Sequence, residues 1–350
     1  MKTNLKRMIT LVLAILLLAS VAGCGSTATT TAATTKAPTT AATTAATTAA
    51  TTAGTTAGTT ASGAKVKAAF IVADMANESQ AFSSREFTKY GAQYGFEVST
   101  FDAKADTQTE SKLVTNCIAQ GFKVIWLNPN DIKAIVPSLM EAKKAGIVIG
   151  MFSSDLGTAD QQYRDFFCGV NDLQAGEAAA KAFMDKFPNG ASIVEIGGQS
   201  GHDAQIKRHD GFNKVIANTN IKVIDYQAPT AWSTEQAQKI AEDMIVRHGD
   251  KIQGIFCHWD NGATGIIQAL KTAKKTGVFL VGVDGNKAGF AQVKEGTQSV
   301  TISQNFTNMT KKSLELAQSK VAGKTVEQIN FIPLDVISQA NIAQFPTPEW

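Results

Sequence analysis

The stretch Val124-Ile125-Trp126-Leu127-Asn128-Pro129 sets a pattern that recurs along the chain, a short apolar run followed at once by polar turn residues. Such a run is typical of a β-strand that is buried on both faces. About eleven runs of this kind are present, and they predict strands at 67–72, 97–101, 124–127, 147–151, 166–170, 191–196, 222–228, 254–257, 279–283, 299–304 and 331–336.

Amphipathic segments separate these runs. At 172–187, 234–247 and 307–321 the apolar residues recur at intervals of three and four, which predicts helices with one buried face. Strands that alternate with helices are typical of parallel α/β sheets. Eleven strands exceed what one open sheet usually holds, so we expect two sheets in two lobes.

The N-terminus predicts export. The first seven residues carry three basic side chains, and residues 8–18 form an apolar run of the length of a signal-peptide core. Val-Ala-Gly-Cys follows at 21–24 and resembles a bacterial lipobox. We therefore expect a signal peptide at 1–23 and lipidation of Cys24, with an ordinary cleaved signal and an incidental cysteine as the alternative.

Residues 24–64 consist almost wholly of Thr, Ala, Gly and Ser, with Lys36 as the one charged residue. Such a composition buries too little apolar surface to offset its ordering entropy, so it predicts a disordered tether. A tether of this length would lift a domain clear of a membrane and into a cell wall. The expected location is therefore extracytoplasmic and lipid-anchored, in a bacterium of the Gram-positive type.

Composition excludes several functions for residues 65–350. The net charge of the full chain, +3, is weak and scattered, which argues against nucleic acid as a partner. The remaining cysteines, Cys117, Cys168 and Cys257, lie far apart in apolar segments and are interpreted as small core residues. No motif for a metal, a cofactor or a catalytic nucleophile is present, so the chain is not expected to be an enzyme.

Ligands of open parallel sheets bind beyond the carboxyl ends of the strands, so the residues there are the candidates for a site. They mix aromatic rings with neutral and acidic hydrogen-bonding groups. A polyhydroxylated small molecule needs this mixture, because its hydroxyls require donors and acceptors while a sugar's C–H face packs on an aromatic ring.

Four segments carry a resemblance to a known family: 124–129, Arg208-His-Asp-Gly-Phe212, 281–285 and 300–304. Over 65–338 the chain resembles the type I periplasmic sugar-binding proteins, the ribose-binding-like branch of solute-binding proteins. The resemblance implies two Rossmann-like lobes, each a parallel sheet flanked by helices, joined by a three-strand hinge. It also implies a monomer without a cofactor, whose ligand lies in the cleft between the lobes.

The same resemblance implies the lobe boundaries. The N-terminal lobe would comprise 65–171 plus 305–333, and the C-terminal lobe 172–304 plus 334–350. The lobes would close over the ligand by a hinge motion.

The resemblance assigns roles to five residues. Arg208 matches an arginine whose guanidinium group donates hydrogen bonds to sugar hydroxyls. Asp284 matches a carboxylate that accepts hydrogen bonds from two hydroxyls. Gln304 matches a glutamine of a hinge strand that contacts the ligand. Trp232 falls where the family places a stacking aromatic ring, and Asn77 falls near an asparagine of the first loop. We expect all five to contact a ligand.

The chain departs from the ribose-binding pattern at other positions. Ser153 stands where that pattern has an aspartate, with Phe152 before it and Asp155 two residues later, and Trp259 replaces an asparagine. Phe82 belongs to a first loop that lacks the family's paired phenylalanines. These residues are also expected to line the cleft, and the extra indole favours a ligand larger or less hydroxylated than ribose: a deoxysugar, a polyol derivative or a nucleoside.

Several of these residues have ordinary structural interpretations. Arg208 could pair with Asp210 on a helix surface, and Asp284 could be a turn residue. The tryptophans could belong to the core, and Gln304 could be a polar strand end.

Three histidines, His202, His209 and His258, lack the spacing of metal ligands and are interpreted as solvent-facing.

Two functions use the same predicted cleft. The first is capture of a sugar-like solute and its delivery to a membrane ABC permease. The alternative is a ligand-sensing receptor component that acts in chemotaxis, with a sensor kinase or in recognition of signalling furanosides or nucleosides. The sequence leaves the identity of the ligand open.

Overall fold

The computed structural model describes residues 64–350. The predicted signal peptide, Cys24 and all but the last residue of the predicted tether lie outside this range. Within it the strands are β1 (Val66–Val72), β2 (Phe96–Asp102), β3 (Val124–Asn128), β4 (Val148–Phe152), β5 (Phe166–Gly169), β6 (Ala191–Ile196), β7 (Ile221–Gln227), β8 (Gly254–Cys257), β9 (Phe279–Asp284), β10 (Val300–Gln304), β11 (Ile329–Phe331) and β12 (Leu334–Ser338).

The α-helices of the described range alternate with these strands. They are α1 (Glu78–Gly91), α2 (Thr107–Ala119), α3 (Val136–Lys144), α4 (Asp172–Lys186), α5 (Asp203–Ile216), α6 (Thr234–His248), α7 (Asp260–Thr272), α8 (Lys287–Glu295) and α9 (Phe306–Val321). None of these helices is long and apolar enough to cross a membrane.

The strands form two six-stranded sheets, with the orders β11-β5-β4-β3-β1-β2 and β12-β10-β9-β8-β6-β7. Every pairing is parallel except that of β10 with β12. Parallel neighbours require crossover connections, which the helices supply. The predicted fold class is confirmed, since two parallel sheets are flanked by helices and the chain passes between them three times, after β5, after β10 and between β11 and β12.

One predicted strand is wrong. The run 331–336 is not a single strand, because it breaks at Ile332-Pro333 into the end of β11 and the start of β12, which belong to different sheets. Pro333 has no N–H to donate to a sheet ladder, which favours an interruption there. The apolar pattern alone gave no sign of the break.

Both faces of the sheets are buried. In β1, for example, Phe70 packs in one apolar cluster with Trp126, whereas Ile71 packs on the opposite face with Ile125. Alternate residues thus serve two cores, as expected for parallel strands covered by helices on both sides. Cys117, Cys168 and Cys257 are buried and unbridged, which confirms their interpretation as core residues.

Candidate functional site

A small cavity of about 20 Å³ lies between the two sheets, at the carboxyl ends of their strands. Its walls come from loops and helix starts that follow strands of both sheets. The lining residues are Asn77, Ser79, Gln80, Asn128, Ser153, His202, Ala204, Arg208, Trp232, Trp259, Asp284, Gln304 and Phe306.

Arg208 is held in place by contacts deep in the second sheet's half of the molecule. Its side chain is 3% exposed, and both Nε and Nη2 donate to Asp172 Oδ1 at 2.8 Å. Nη1 donates to the carbonyl oxygen of His258. These contacts fix the plane of the guanidinium group, and Arg208 is therefore a buried residue with Asp172 as its partner, not a surface arginine paired with Asp210.

Asp284 ends β9 in an unusual backbone conformation, with φ of 129°. The following turn is held by Asp260, whose Oδ2 accepts from the Gly285 N–H at 2.8 Å and from Thr301 Oγ1 at 2.7 Å. Gln304 Nε2 donates to Asp284 Oδ1 at 2.9 Å. Burial, reinforced by the nearby Asp260 carboxylate, raises the pKa of Asp284 well above its usual range.

The two tryptophans meet edge to face, with ring centroids 5.4 Å apart and planes at 86°. Trp259 is almost wholly buried, and within the described residues its Nε1–H has no acceptor. Gln304 Oε1 likewise has no donor there. A buried polar group without a partner costs about 1–3 kcal/mol, so a ligand that offers an acceptor to Trp259 and a donor to Gln304 is favoured.

Residues 68–325 match the family model for the periplasmic binding protein domain. The chain belongs to this family. Among the curated relatives of this binding protein, the ribose import binding protein of Bacillus subtilis is 28% identical over 251 residues, which is 72% of this chain and 80% of the relative. The D-xylose-binding periplasmic protein of Escherichia coli is 27% identical over 258 residues, 72% of this chain and 77% of that one.

Solved structures of low identity share the fold. A galactofuranose binding protein superposes with a TM-score of 0.76 at 19% identity, over 80% of this chain and 96% of that one. A Mycobacterium smegmatis protein in complex with β-D-fucofuranose gives 0.75 at 21% identity, over 80% and 93%. Since the family is one of binding proteins, this chain is a binding protein and not an enzyme.

Seven of the ten residues predicted to contact a ligand line the cavity of this binding protein. The structure brings together Asn77, Ser153, Arg208, Trp232, Trp259, Asp284 and Gln304.

Three predicted residues lie elsewhere. Phe152 is fully buried in the first sheet's core, edge to face with Phe70 and Phe87. Phe82 stacks on Trp350 with ring centroids 5.6 Å apart, and Asp155 forms a buried ion pair with Arg164. These three side chains support the walls of the site and do not line the cavity.

The interpretation of the three histidines as solvent-facing is wrong for His202 and His258, whereas His209 is about one-third exposed. His258 is fully buried against Glu195, with Nε2 and Oε1 2.9 Å apart, and His209 is partly buried against the same carboxylate. His202 is 3% exposed and lines the cavity. Within residues 64–350 no cluster of His, Cys, Asp and Glu is placed to hold a metal ion.

His202 was missed as a cavity residue although its position carried a signal. It immediately precedes α5, and its Nδ1 accepts from the Ala204 N–H at 3.3 Å, as an N-cap does. Nε2 therefore carries the proton and donates to Asn128 Oδ1 at 3.0 Å. Burial lowers the pKa of His202 to about 3, so the ring is neutral at physiological pH.

Proposed function

We propose that this chain is an extracytoplasmic solute-binding protein that captures a sugar or sugar-like small molecule in the cavity between its sheets and delivers it to an ABC permease. Its curated relatives carry names of ribose import and D-xylose binding, which supports a sugar as the class of ligand. Residues 65–171 plus 305–333 would form one lobe and 172–304 plus 334–350 the other.

The observation that carries the proposal is the chemistry of the cavity wall. Two indole rings, a guanidinium, a carboxyl and the Gln304 carboxamide, all from the second sheet's half, meet Asn77 and Ser153 from the first sheet's half around one small space. Arginine donates two parallel hydrogen bonds to neighbouring hydroxyls, and an indole face covers the C–H face of a sugar ring. The unpartnered Trp259 N–H and Gln304 carbonyl would each gain a hydroxyl partner.

Closure by a hinge follows from the topology. The lobes are joined by the three chain segments that pass between the sheets, and rotation about them would move Asn77 and Ser153 away from Arg208 and Asp284, which line one cavity here, so that a ligand could enter. Since Asp284 has a raised pKa, it would act as a carboxyl that both accepts from and donates to a hydroxyl near neutral pH.

Ligand capture is tested by thermal unfolding of the full chain with D-ribose, D-xylose, xylitol, myo-inositol, galactofuranosides and nucleosides. A ligand at about one hundred times its Kd stabilises the native state by about 2.7 kcal/mol, which raises Tm by several degrees. Trp232→Ala should abolish the shift, whereas Val246→Ala, on the exposed face of α6, should retain it. If none of these compounds raised the Tm of the wild-type chain, the result would argue against a solute-binding role.

The membrane anchor is a separate part of the proposal. Cys24 would carry the lipid and the tether would keep the binding protein near its permease, which raises the effective concentration there. In detergent phase partition the chain expressed in a bacterium should enter the detergent phase, and Cys24→Ser should move it to the aqueous phase. Partition of both forms into the aqueous phase would contradict lipidation.

A further inference from the structure

One buried carboxylate has no part in the site described so far. Glu195, on β6, is fully buried. Its Oε1 lies 2.9 Å from His258 Nε2 and 3.0 Å from His209 Nδ1, and within residues 64–350 these two rings are its only hydrogen-bond partners. None of the three residues lines the cavity, so direct contact with a ligand does not account for this cluster.

The two histidines of the cluster differ in charge. His258 is fully buried, and burial lowers its pKa, so its ring is neutral. His209 is partly exposed, and its hydrogen bond with Glu195 raises its pKa. Burial alone would raise the pKa of Glu195, but the hydrogen bonds from both rings lower it. Because a carboxylate only accepts, His258 Nε2 carries the proton of the neutral ring and donates it.

The backbone of His258 belongs to the cavity wall. Its carbonyl oxygen accepts from Arg208 Nη1, and its N–H donates to the Ile196 carbonyl oxygen at 3.1 Å. The next residue is Trp259, which lines the cavity. The bond from the His258 ring to Glu195 therefore restrains a carbonyl that holds Arg208 and the backbone that carries Trp259.

The orientation of Arg208 matters because it has N–H groups left for a ligand. Nε and Nη2 both lie 2.8 Å from Asp172 Oδ1, and Nη1 donates to the His258 carbonyl oxygen. Each Nη carries two N–H groups, so at least one on each has no partner among the described residues. A guanidinium that turned would misdirect both groups together, and hydrogen bonds weaken steeply when they bend.

We propose that His258 is a positioning residue for the ligand site: bound through its ring to Glu195, it holds the Arg208 guanidinium and Trp259 in the orientation that a ligand requires. The inference rests on the proposed function, because it concerns how that same site recognises a hydroxylated ligand. His209 binds the same carboxylate but does not line the cavity, and it contributes to stability alone.

The test compares His258→Phe with His209→Phe in the full chain. Both variants keep an aromatic ring, which packs on Phe256 at position 258 and on Tyr226 at position 209, with ring centroids 4.6 and 4.4 Å apart in the wild type. Both also remove one hydrogen bond to the same carboxylate, so both should have a lower Tm.

Their affinities should differ. In titration calorimetry with D-ribose, D-xylose and myo-inositol, below the Tm of the less stable variant, His258→Phe should bind about tenfold more weakly than the wild type, a difference of about 1.4 kcal/mol. His209→Phe should bind within about twofold of the wild type.

A second measurement needs no ligand. The Arg208 Nε–H is buried against Asp172, so its exchange with solvent, followed by nuclear magnetic resonance, should be slow in the wild type. His258→Phe should speed this exchange by about tenfold, because the guanidinium loses the restraint on one of its partners. His209→Phe should leave the exchange rate unchanged.

Glu195→Gln is the conservative variant. Its carbonyl oxygen can accept from His258 Nε2, while its NH₂ group takes the place of Oε2, 3.1 Å from His209 Nδ1, which accepts in a neutral ring. The wild-type affinity and Arg208 exchange should be retained. Glu195→Leu offers no acceptor and should reproduce the effects of His258→Phe, which it replaces if that variant does not fold.

The outcomes separate the two proposals. Equal changes in the two Phe variants, or faster Arg208 exchange in Glu195→Gln, would refute the positioning role and leave the proposed function intact. If the wild type bound none of the three compounds while His258→Phe alone sped the exchange, His258 would still position Arg208, and the proposed class of ligand would fall.

Discussion

Two buried arginine–aspartate pairs of almost identical chemistry lie in different halves of the molecule. Arg164 and Asp155 are 0% and 3% exposed, and Arg208 and Asp172 are 3% and 1% exposed. Each arginine also donates to a backbone carbonyl: Arg164 to that of Gln328, which precedes β11, and Arg208 to that of His258, which precedes Trp259.

The two pairs differ in the segment whose backbone carbonyl the arginine binds. Arg164 fixes the chain where it joins the edge of the first sheet and does not line the cavity between the sheets, whereas Arg208 fixes the loop that carries Trp259 and lines that cavity itself. A buried ion pair therefore says little about function by itself. The comparison predicts that one pair serves only stability and the other serves both stability and binding.

The largest expected effect is on stability, in the pair away from the cavity. Arg164→Ala leaves the Asp155 carboxylate buried without its partner and should lower the free energy of unfolding by about 3–5 kcal/mol in urea denaturation. Lys144→Ala breaks an exposed pair with Glu141 and should cost less than about 1 kcal/mol. If the two variants lost equal stability, the Arg164 pair would not be the structural element inferred here.

The second prediction separates the pairs by ligand affinity. Arg208→Gln should weaken binding of the best sugar found by thermal shift by about 10–100-fold, because hydrogen bonds from a charged donor contribute about 1.5–3 kcal/mol. Arg164→Gln, measured below its Tm, should retain the wild-type Kd in calorimetry. Comparable losses of affinity in both variants would remove the functional distinction between the pairs.

The sequence predicted much of this site because strand ends are easy to locate. Trp259, Asp284 and Gln304 follow or end β8, β9 and β10, and parallel strands bring their carboxyl ends together. The apolar strand runs and the turn residues that follow them were therefore enough to predict that these side chains lie near one another. The spacing of the sheets and the shape of the space between them depend on contacts that no local pattern encodes.

The failures have local physical causes. The fourth strand was predicted at 147–151 but spans Val148–Phe152, so the prediction placed Phe152 in the loop beyond the strand. Phe152 is instead the last residue of β4 with its side chain in the core, and Ser153, which follows it, lines the cavity. Asp155 was misassigned because its partner, Arg164, lies beyond a loop that the sequence pattern did not resolve.

A third prediction concerns Asp284, on the Arg208 side. Its pKa is raised in the folded state above the unfolded value of about 3.8, so folding is stabilised at low pH, and this contribution is lost as pH rises above about 4. Asp284→Asn keeps the acceptor for Gln304 and removes the charge. Between pH about 4.5 and about 8 the free energy of unfolding should fall in both proteins, and the fall in the variant should be about 1–2 kcal/mol smaller than in the wild type.

The control for that measurement is Asp335→Asn, which neutralises an exposed carboxylate on β12. It should follow the wild-type pH profile. Parallel profiles for Asp284→Asn and the wild type would show that burial does not shift the ionisation of Asp284 enough to affect folding.

The smallest expected effect has the opposite sign and belongs to His202. Its pKa is lowered in the folded state to about 3, so its contribution to stability is present above the unfolded value of about 6.5 and is lost as pH falls below it. His202→Asn retains an N-cap acceptor for the Ala204 N–H and does not titrate. Between pH about 7 and about 5.5 the variant should lose about 1 kcal/mol less unfolding free energy than the wild type in urea denaturation. An equal loss in both chains would mean that the His202 ring is accessible to water in the folded state, and its burial beside Asn128 would then not account for its ionisation.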